Sequence, residues 1–209
     1  MADLMYEHIK AWNDEYKRSI WKGHYSLDML ETCSKGRLLD AGCGSGKYAI
    51  PLMMRGFDVV AFDVSKMGLK MAQTRCARRN LAVDLLAANV YQIPFKNDSF
   101  DIIWCYGVLQ HLLSKEREYT VNEFRRVLKK SGILFIEVFG EDDMRYGGND
   151  VENNTFSREN GIVYHYFNKN EIAGLLKGFS YRIFESRKEK RFYGRYYTRH
   201  MITTAAKKL

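Results

Sequence analysis

The chain has 209 residues, 46% hydrophobic and 14% aromatic, with a formal net charge of +8 at pH 7. That length fits one domain, 1–209, with a substantial core and is short for two. It shows no apolar run of eighteen residues, no leader peptide and no C-x-x-C pair among Cys33, Cys43, Cys76 and Cys105. Membrane insertion, a disulfide framework and a bound metal are therefore not expected, and a cytoplasmic location is.

The first 35 residues open with an expected helix over 6–21, whose aromatic face carries Trp12, Tyr16 and Ile20 and is followed by Trp21. Short apolar runs at 37–41, 58–62, 83–87, 101–105 and 132–139 then alternate with helix-like stretches at 47–55, 66–79 and 115–130. Ser65 and Ser114 are positioned as N-caps. The runs are continuously apolar rather than alternating, which predicts parallel strands covered on both faces. Asn168 is placed to cap a further helix through 176, ended by Gly178, and 181–187 and 200–206 read as a closing strand pair. The expected fold is α/β, a three-layer, Rossmann-like, doubly wound sheet.

Chemistry concentrates after the first strand, in Asp40-Ala41-Gly42-Cys43-Gly44-Ser45-Gly46-Lys47-Tyr48. A phosphate loop needs G-x-x-x-x-G-K-[ST], but Ala41 and Tyr48 stand at its two ends. The dinucleotide fingerprint needs its third glycine where this chain has Lys47. Asp40 would repel a pyrophosphate and instead suits a ligand with a cationic end. Asp63 closes the second strand, where a carboxylate can accept bonds from both hydroxyls of a ribose. A nicotinamide oxidoreductase is disfavoured by Asp40 and Lys47. A tight turn with no ligand is the bland alternative.

Between Gly36 and Phe139 these motifs resemble the class I S-adenosylmethionine-dependent methyltransferases. Ser99 to Leu112 and Glu123 to Gly132 resemble the type 11 branch, which includes quinone-biosynthesis and many small-molecule enzymes. The resemblance implies S-adenosylmethionine as methyl donor, S-adenosylhomocysteine as product, and a seventh, antiparallel strand. It implies a cofactor site on Asp40, Gly42, Cys43, Gly44, Gly46, Asp63, Val64, Asn89, Val90, Cys105, Tyr106 and Gly107. Asn89 stands near the place where many family members carry an Asp for the adenine amino group. The Asn/Asp-Pro-Pro-aromatic signature of nucleobase amino-methylating enzymes is missing from Trp104-Cys105-Tyr106-Gly107. Cys105 lacks the Pro-Cys or Thr-Cys context of a pyrimidine nucleophile and is read as lining the cofactor.

His111 is the candidate general base, with packing of the following helix as its competing role. Methyl transfer can also proceed by positioning alone. Acceptor choice is expected in three places: the helical lid of 1–35 (Tyr16, Trp21), the long connection 140–168 (Arg145, Tyr146), and the helix and hairpin of 169–209 (Tyr197). Residues 177–209 hold five Lys and five Arg against two Glu, a surplus equal to that of the whole chain. Cations interleaved with aromatics there suit phosphates and bases, a small anion, or a solvated hairpin paired with Glu141, Asp142 and Asp143. A small-molecule acceptor is expected, with RNA or tRNA as the alternative and a non-catalytic cofactor-binding module as another class. Oligomeric state is left open.

Overall fold

A computed structural model of the protein describes residues 2–18, 26–31 and 33–209. Helix α1 (Ala2–Arg18) leads into strand β1 (Arg37–Ala41), helix α2 (Ala49–Met54), β2 (Asp58–Asp63), α3 (Lys66–Ala77), β3 (Asp84–Ala87) and β4 (Phe100–Tyr106). Helix α4 (Ser114–Val127) and β5 (Leu128–Phe139) follow, then three short strands, β6 (Asn149–Glu152), β7 (Thr155–Ser157) and β8 (Val163–His165). Helix α5 (Lys169–Leu175) and the hairpin β9 (Phe179–Phe192) and β10 (Arg195–Lys208) complete the chain.

Seven strands form the main sheet in the order β3-β2-β1-β4-β5-β10-β9. The first five are parallel, and β10 runs antiparallel to both neighbours, as expected. Both faces are covered. Leu39, Phe62, Ile103, Phe124 and Val138 belong to one core cluster and Leu38, Ala61, Trp104 and Phe135 to the other. Successive strand residues point to opposite faces, so Leu38 and Leu39 are both inaccessible. This explains the continuous apolar runs.

Strand order turns back between β1 and β4, which opens a crevice at their carboxyl ends. Ser65 caps α3 by accepting from the Gly68 N–H at 3.1 Å, and Asn168 caps α5 by accepting from Glu171 at 3.0 Å. Arg126 of α4 donates to the Ile93 and Phe95 carbonyls at 2.8 and 2.7 Å, fastening the connection into β4.

Four elements differ from the sequence reading. The cap position of α4 is Leu113, not Ser114, and Glu116 accepts the Leu113 N–H at 2.8 Å. Strand β5 begins at Leu128 rather than 132, running through Ser131 in the left-handed region at φ 62°. The closing strands are 14 residues each, about twice the expected length, because their outer halves alternate charge and aromatics without an apolar run. The 140–168 connection is not an open loop. It carries the separate antiparallel sheet β6-β7-β8.

Candidate functional site

The loop after β1 is shaped by backbone conformations that need glycine. Gly42, Gly44 and Gly46 have φ of 75°, 52° and 79°. A Cβ on Gly42 would lie 2.4 Å from Val108 Cγ2, across the crevice, and one on Gly44 would lie 2.0 Å from the Tyr16 hydroxyl. At these positive φ values a side chain at either position would be strained and would also displace Val108 or Tyr16. Arg75 of α3 holds the loop from behind, donating to the Ser45 carbonyl at 2.9 Å and hydroxyl at 3.1 Å.

Two acids lie beneath this loop. Asp63 is buried; its Oδ2 accepts the Gly44 N–H and its Oδ1 the Ser65 N–H, both at 2.8 Å. Burial pushes its pKa up to about 6, against the pull of backbone hydrogen bonds from Ser65, Gly44 and Val64. Asp40 is 2% exposed, and its Oδ2 has no partner among the described residues. Burial pushes its pKa up to about 7, offset by a backbone bond from Ala49 and reinforced by Asp63. A buried carboxylate oxygen left without a donor is costly unless a cationic or hydrogen-bonding ligand meets it. That orphaned oxygen, more than the glycines, marks the loop as a ligand cradle for a cation-bearing nucleoside.

The remaining expected cofactor residues divide by face. Cys43 and Cys105 are buried, and burial beside Asp40 pushes both thiols up, so neither is a ready thiolate. Val90 and Cys105 belong to the core cluster. Asn89 Oδ1 accepts the Tyr91 N–H at 3.4 Å within its own turn. Gly107 turns the chain out of β4 at φ 75°. Tyr106 faces the other side of the sheet, stacked on Trp104 at 4.0 Å with Tyr48 edge-on at 5.4 Å. Glu137 of β5 sits opposite Tyr106 in register, and burial raises its pKa.

Helix α1 lies over the crevice. Asn13 Oδ1 accepts from the Ser65 hydroxyl at 2.8 Å and the Met67 N–H at 3.1 Å, pinning the helix to the start of α3. Tyr16 reaches Gly44, and burial with Asp63 nearby raises its pKa. Four residues earlier, Trp12 meets the edge of His111 at 4.8 Å. Trp21 lies outside the described residues.

His111 is 8% exposed between Trp12 and Tyr164, each at 4.8 Å. Its Nδ1 lies 2.8 Å from the Val163 carbonyl, which can only accept, so Nδ1 carries the hydrogen and Nε2 the lone pair. Burial lowers its pKa to about 3, with Arg145 and Arg158 contributing. The imidazole is thus neutral at ordinary pH and joins α1 to the small sheet.

Arg145 lies over the Phe139 ring at 4.6 Å, and the exposed Tyr146 donates to Asn154 at 2.7 Å. Tyr197 is half-exposed on the hairpin opposite Lys190. β10 pairs with β5 only from Met201 to Lys207, so residues 195–200 continue past Phe139, beyond the carboxyl edge of the sheet. The acidic segment does pair with this ribbon: Arg187 meets Asp142 at 2.8 Å and Arg199 meets Asp143 at 2.9 Å. Sequence reasoning missed Asn13, Arg75, Glu137 and Arg158. The pattern around Glu137, one acid within an apolar strand, was the only usable signal among them.

Comparisons with known proteins agree with this geometry. Residues 39–136 match the family model described as a methyltransferase domain. A ubiquinone biosynthesis O-methyltransferase of Pelagibacter ubique is 31% identical over 100 residues, covering 48% of this chain and 40% of that protein. The chain spans less than half the length of the first curated relatives it matches. A SAM-dependent methyltransferase structure from Methanosarcina mazei superposes with a TM-score of 0.74 at 23% identity, covering 89% of this chain and 98% of that one. The 1,6-didemethyltoxoflavin-N1-methyltransferase of Burkholderia thailandensis, with its substrate and S-adenosylhomocysteine bound, gives 0.73 at 19% identity, covering 99% and 88%.

Proposed function

We propose that this chain is a class I S-adenosylmethionine-dependent methyltransferase of the type 11 branch and that it methylates a small molecule. The observation that carries this reading is the orphaned Asp40 oxygen beneath the glycine loop, in a crevice covered by α1. Bound there, S-adenosylmethionine supplies a methyl group made electrophilic by its sulfonium. Asp40 holds the cationic end and Asp63 the ribose hydroxyls. The backbone of Gly42, Gly44 and Gly46 allows close approach, and Asn89 accepts from the adenine.

The chain's own contribution to the reaction is placement and exclusion of water. Trp12 and Tyr16, four residues apart on α1, are separated by about 6 Å along the helix axis. Tyr16 stands over the glycine loop and Trp12 over His111, so donor and acceptor sites share one roof. In this reading His111 is a positioning residue whose Nε2 can accept a hydrogen bond from the acceptor. A pKa near 3 makes it a poor general base. A crevice roofed by one helix favours a small acceptor, and four free cysteines suit a cytoplasmic setting.

A second reading, RNA as acceptor, draws support from the ribbon beyond the sheet edge, where Tyr193 and Tyr196 are exposed among Lys188, Lys190, Arg191 and Arg195. Labelled methyl transfer from S-adenosylmethionine separates the two. We expect label in a metabolite extract and none in total RNA. Label in RNA alone would overturn the small-molecule reading.

A further inference from the structure

Three arginines gather where β5 ends and the small sheet begins. Arg145 and Arg199 lie over the Phe139 ring at 4.6 and 4.9 Å, and Arg158 lies over Tyr164 at 4.6 Å. Among the described residues, one carboxylate pairs with this group: Asp143, whose side chain is fully buried. Its Oδ1 accepts from Arg199 at 2.9 Å and from the Arg145 backbone N–H at 3.1 Å, with Arg145 Nε at 3.7 Å. Its Oδ2 accepts the His200 N–H at 3.1 Å. Asp143 thus answers Arg199 first.

Arg158 is differently placed. Its Nη2 donates to the Tyr166 hydroxyl and the Arg145 carbonyl, but its Nε is buried with no partner among the described residues. A buried guanidinium N–H without an acceptor is as costly as the orphaned Asp40 oxygen, and of opposite sign. Arg158 also lines an open groove of about 560 Å³ with Gly147, Gly148, Ser157, Glu159 and Asn160, which gives this region access to solvent.

The neighbouring groups place this surplus beside the acceptor. Tyr164, beneath Arg158, is the same ring that meets His111, and Phe139 is the last residue of β5 on the carboxyl edge of the sheet. Arg145 and Arg158 both lie near enough to depress the protonation of His111. Guanidinium planes backed by buried rings and one unpaired guanidinium hydrogen occur together there.

We propose that Arg145 and Arg158 form an anion subsite for the methyl acceptor, so that the acceptor is a small molecule joining a flat ring to a carboxylate or other oxyanion. Arg158 Nε and the outer nitrogens of Arg145 hold the oxyanion, and the guanidinium planes, backed by the buried Phe139 and Tyr164 rings, give the ligand ring a flat surface to stack on. This deepens the methyltransferase reading and rests on it. Arg199, already paired with Asp143, sets the shape of the subsite rather than touching the ligand.

The test is titration of the full chain, saturated with S-adenosylhomocysteine, with benzoate and with benzyl alcohol as matched probes. We expect benzoate to bind about tenfold more tightly, the ratio that one charge-assisted hydrogen bond supports. Arg145→Gln, which keeps the backbone N–H bond to Asp143 and gives up the 3.7 Å side-chain contact and the place over Phe139, should reduce that preference to below threefold. Arg158→Lys should do the same while keeping the charge, because Lys cannot present the Nε donor. Equal binding of the two probes to the native chain, or a preference unchanged in both variants, would overturn the subsite. Failure of the native chain to bind S-adenosylhomocysteine would instead count against the cofactor assignment.

Discussion

The glycine-loop half and the cap half of this molecule are held in different ways. In the first, backbone groups dominate: Asp63 binds two backbone N–H groups, and three glycines adopt φ values that side chains disfavour. In the second, side chains make many of the joints, as in Trp12 on His111 and Arg199 on Asp143, beside backbone bonds from Gly140 to His200 and from Met144 to Thr198. A backbone-built site leaves its mark on residue identity at fixed spacing. A side-chain-built site can be assembled from many sequences, which suits the half proposed to choose the acceptor.

The largest effects should fall on the backbone-built half. Asp63→Ala removes the acceptor for Gly44 and Ser65 as well as for a ribose, and S-adenosylhomocysteine affinity should drop by about 100-fold in calorimetry. Unchanged affinity would remove the ribose assignment. Gly44→Ala places a Cβ 2.0 Å from the Tyr16 hydroxyl at positive φ, and should cost about 2–3 kcal/mol in chemical denaturation. In the Tyr16→Phe background the cost should shrink, since the clashing oxygen is gone. A strictly additive double-mutant cycle would show that lid and loop are not coupled.

Asp40 ties stability to pH. Folded Asp40 keeps its proton to about pH 7, whereas the ordinary value is 3.8. The folded state therefore loses stability as pH rises through that interval. Asp40→Asn escapes this loss, so relative to the native chain it should be more stable at pH 8 than at pH 5, by on the order of 2 kcal/mol. The same variant should bind S-adenosylmethionine poorly. A substitution that stabilises the chain while emptying its site is the expected signature of a functional strain.

Effects in the cap half should be smaller. His111 has the opposite sign, its pKa falling from 6.5 to about 3, so its contribution is complete above pH 6.5 and is lost as pH falls towards 3. His111→Gln should cost about 1–2 kcal/mol of stability. The native pH–rate profile should show no inflection near 6.5, and one that vanishes in the variant would restore a general-base role. Lys190→Gln, on the exposed ribbon, should change stability by less than about 0.5 kcal/mol.

Legibility in the sequence followed the same division. Asp40, Gly42, Gly44, Gly46 and Asp63 stood out because strand ends and left-handed turns admit few residue types. Strands β1, β2 and β4 and the second half of β5 were readable because burial on both faces leaves largely apolar runs. The small sheet was not, since its strands are three or four residues long, β6 has no buried residue and only two residues of β7 and two of β8 are buried. Asn13 carried no local signal either: its partners Ser65 and Met67 lie 52 and 54 residues away. Arg158 Nε is legible only once its surroundings are seen to lack an acceptor.

The most direct test of the account is a calorimetric titration of the native chain and Asp40→Asn with S-adenosylmethionine, with NAD as control. The account predicts saturable binding of S-adenosylmethionine to the native chain, at least tenfold weaker binding to Asp40→Asn, and no binding of NAD. Equal affinity of the two proteins for S-adenosylmethionine, or stabilisation by NAD alone, would contradict it.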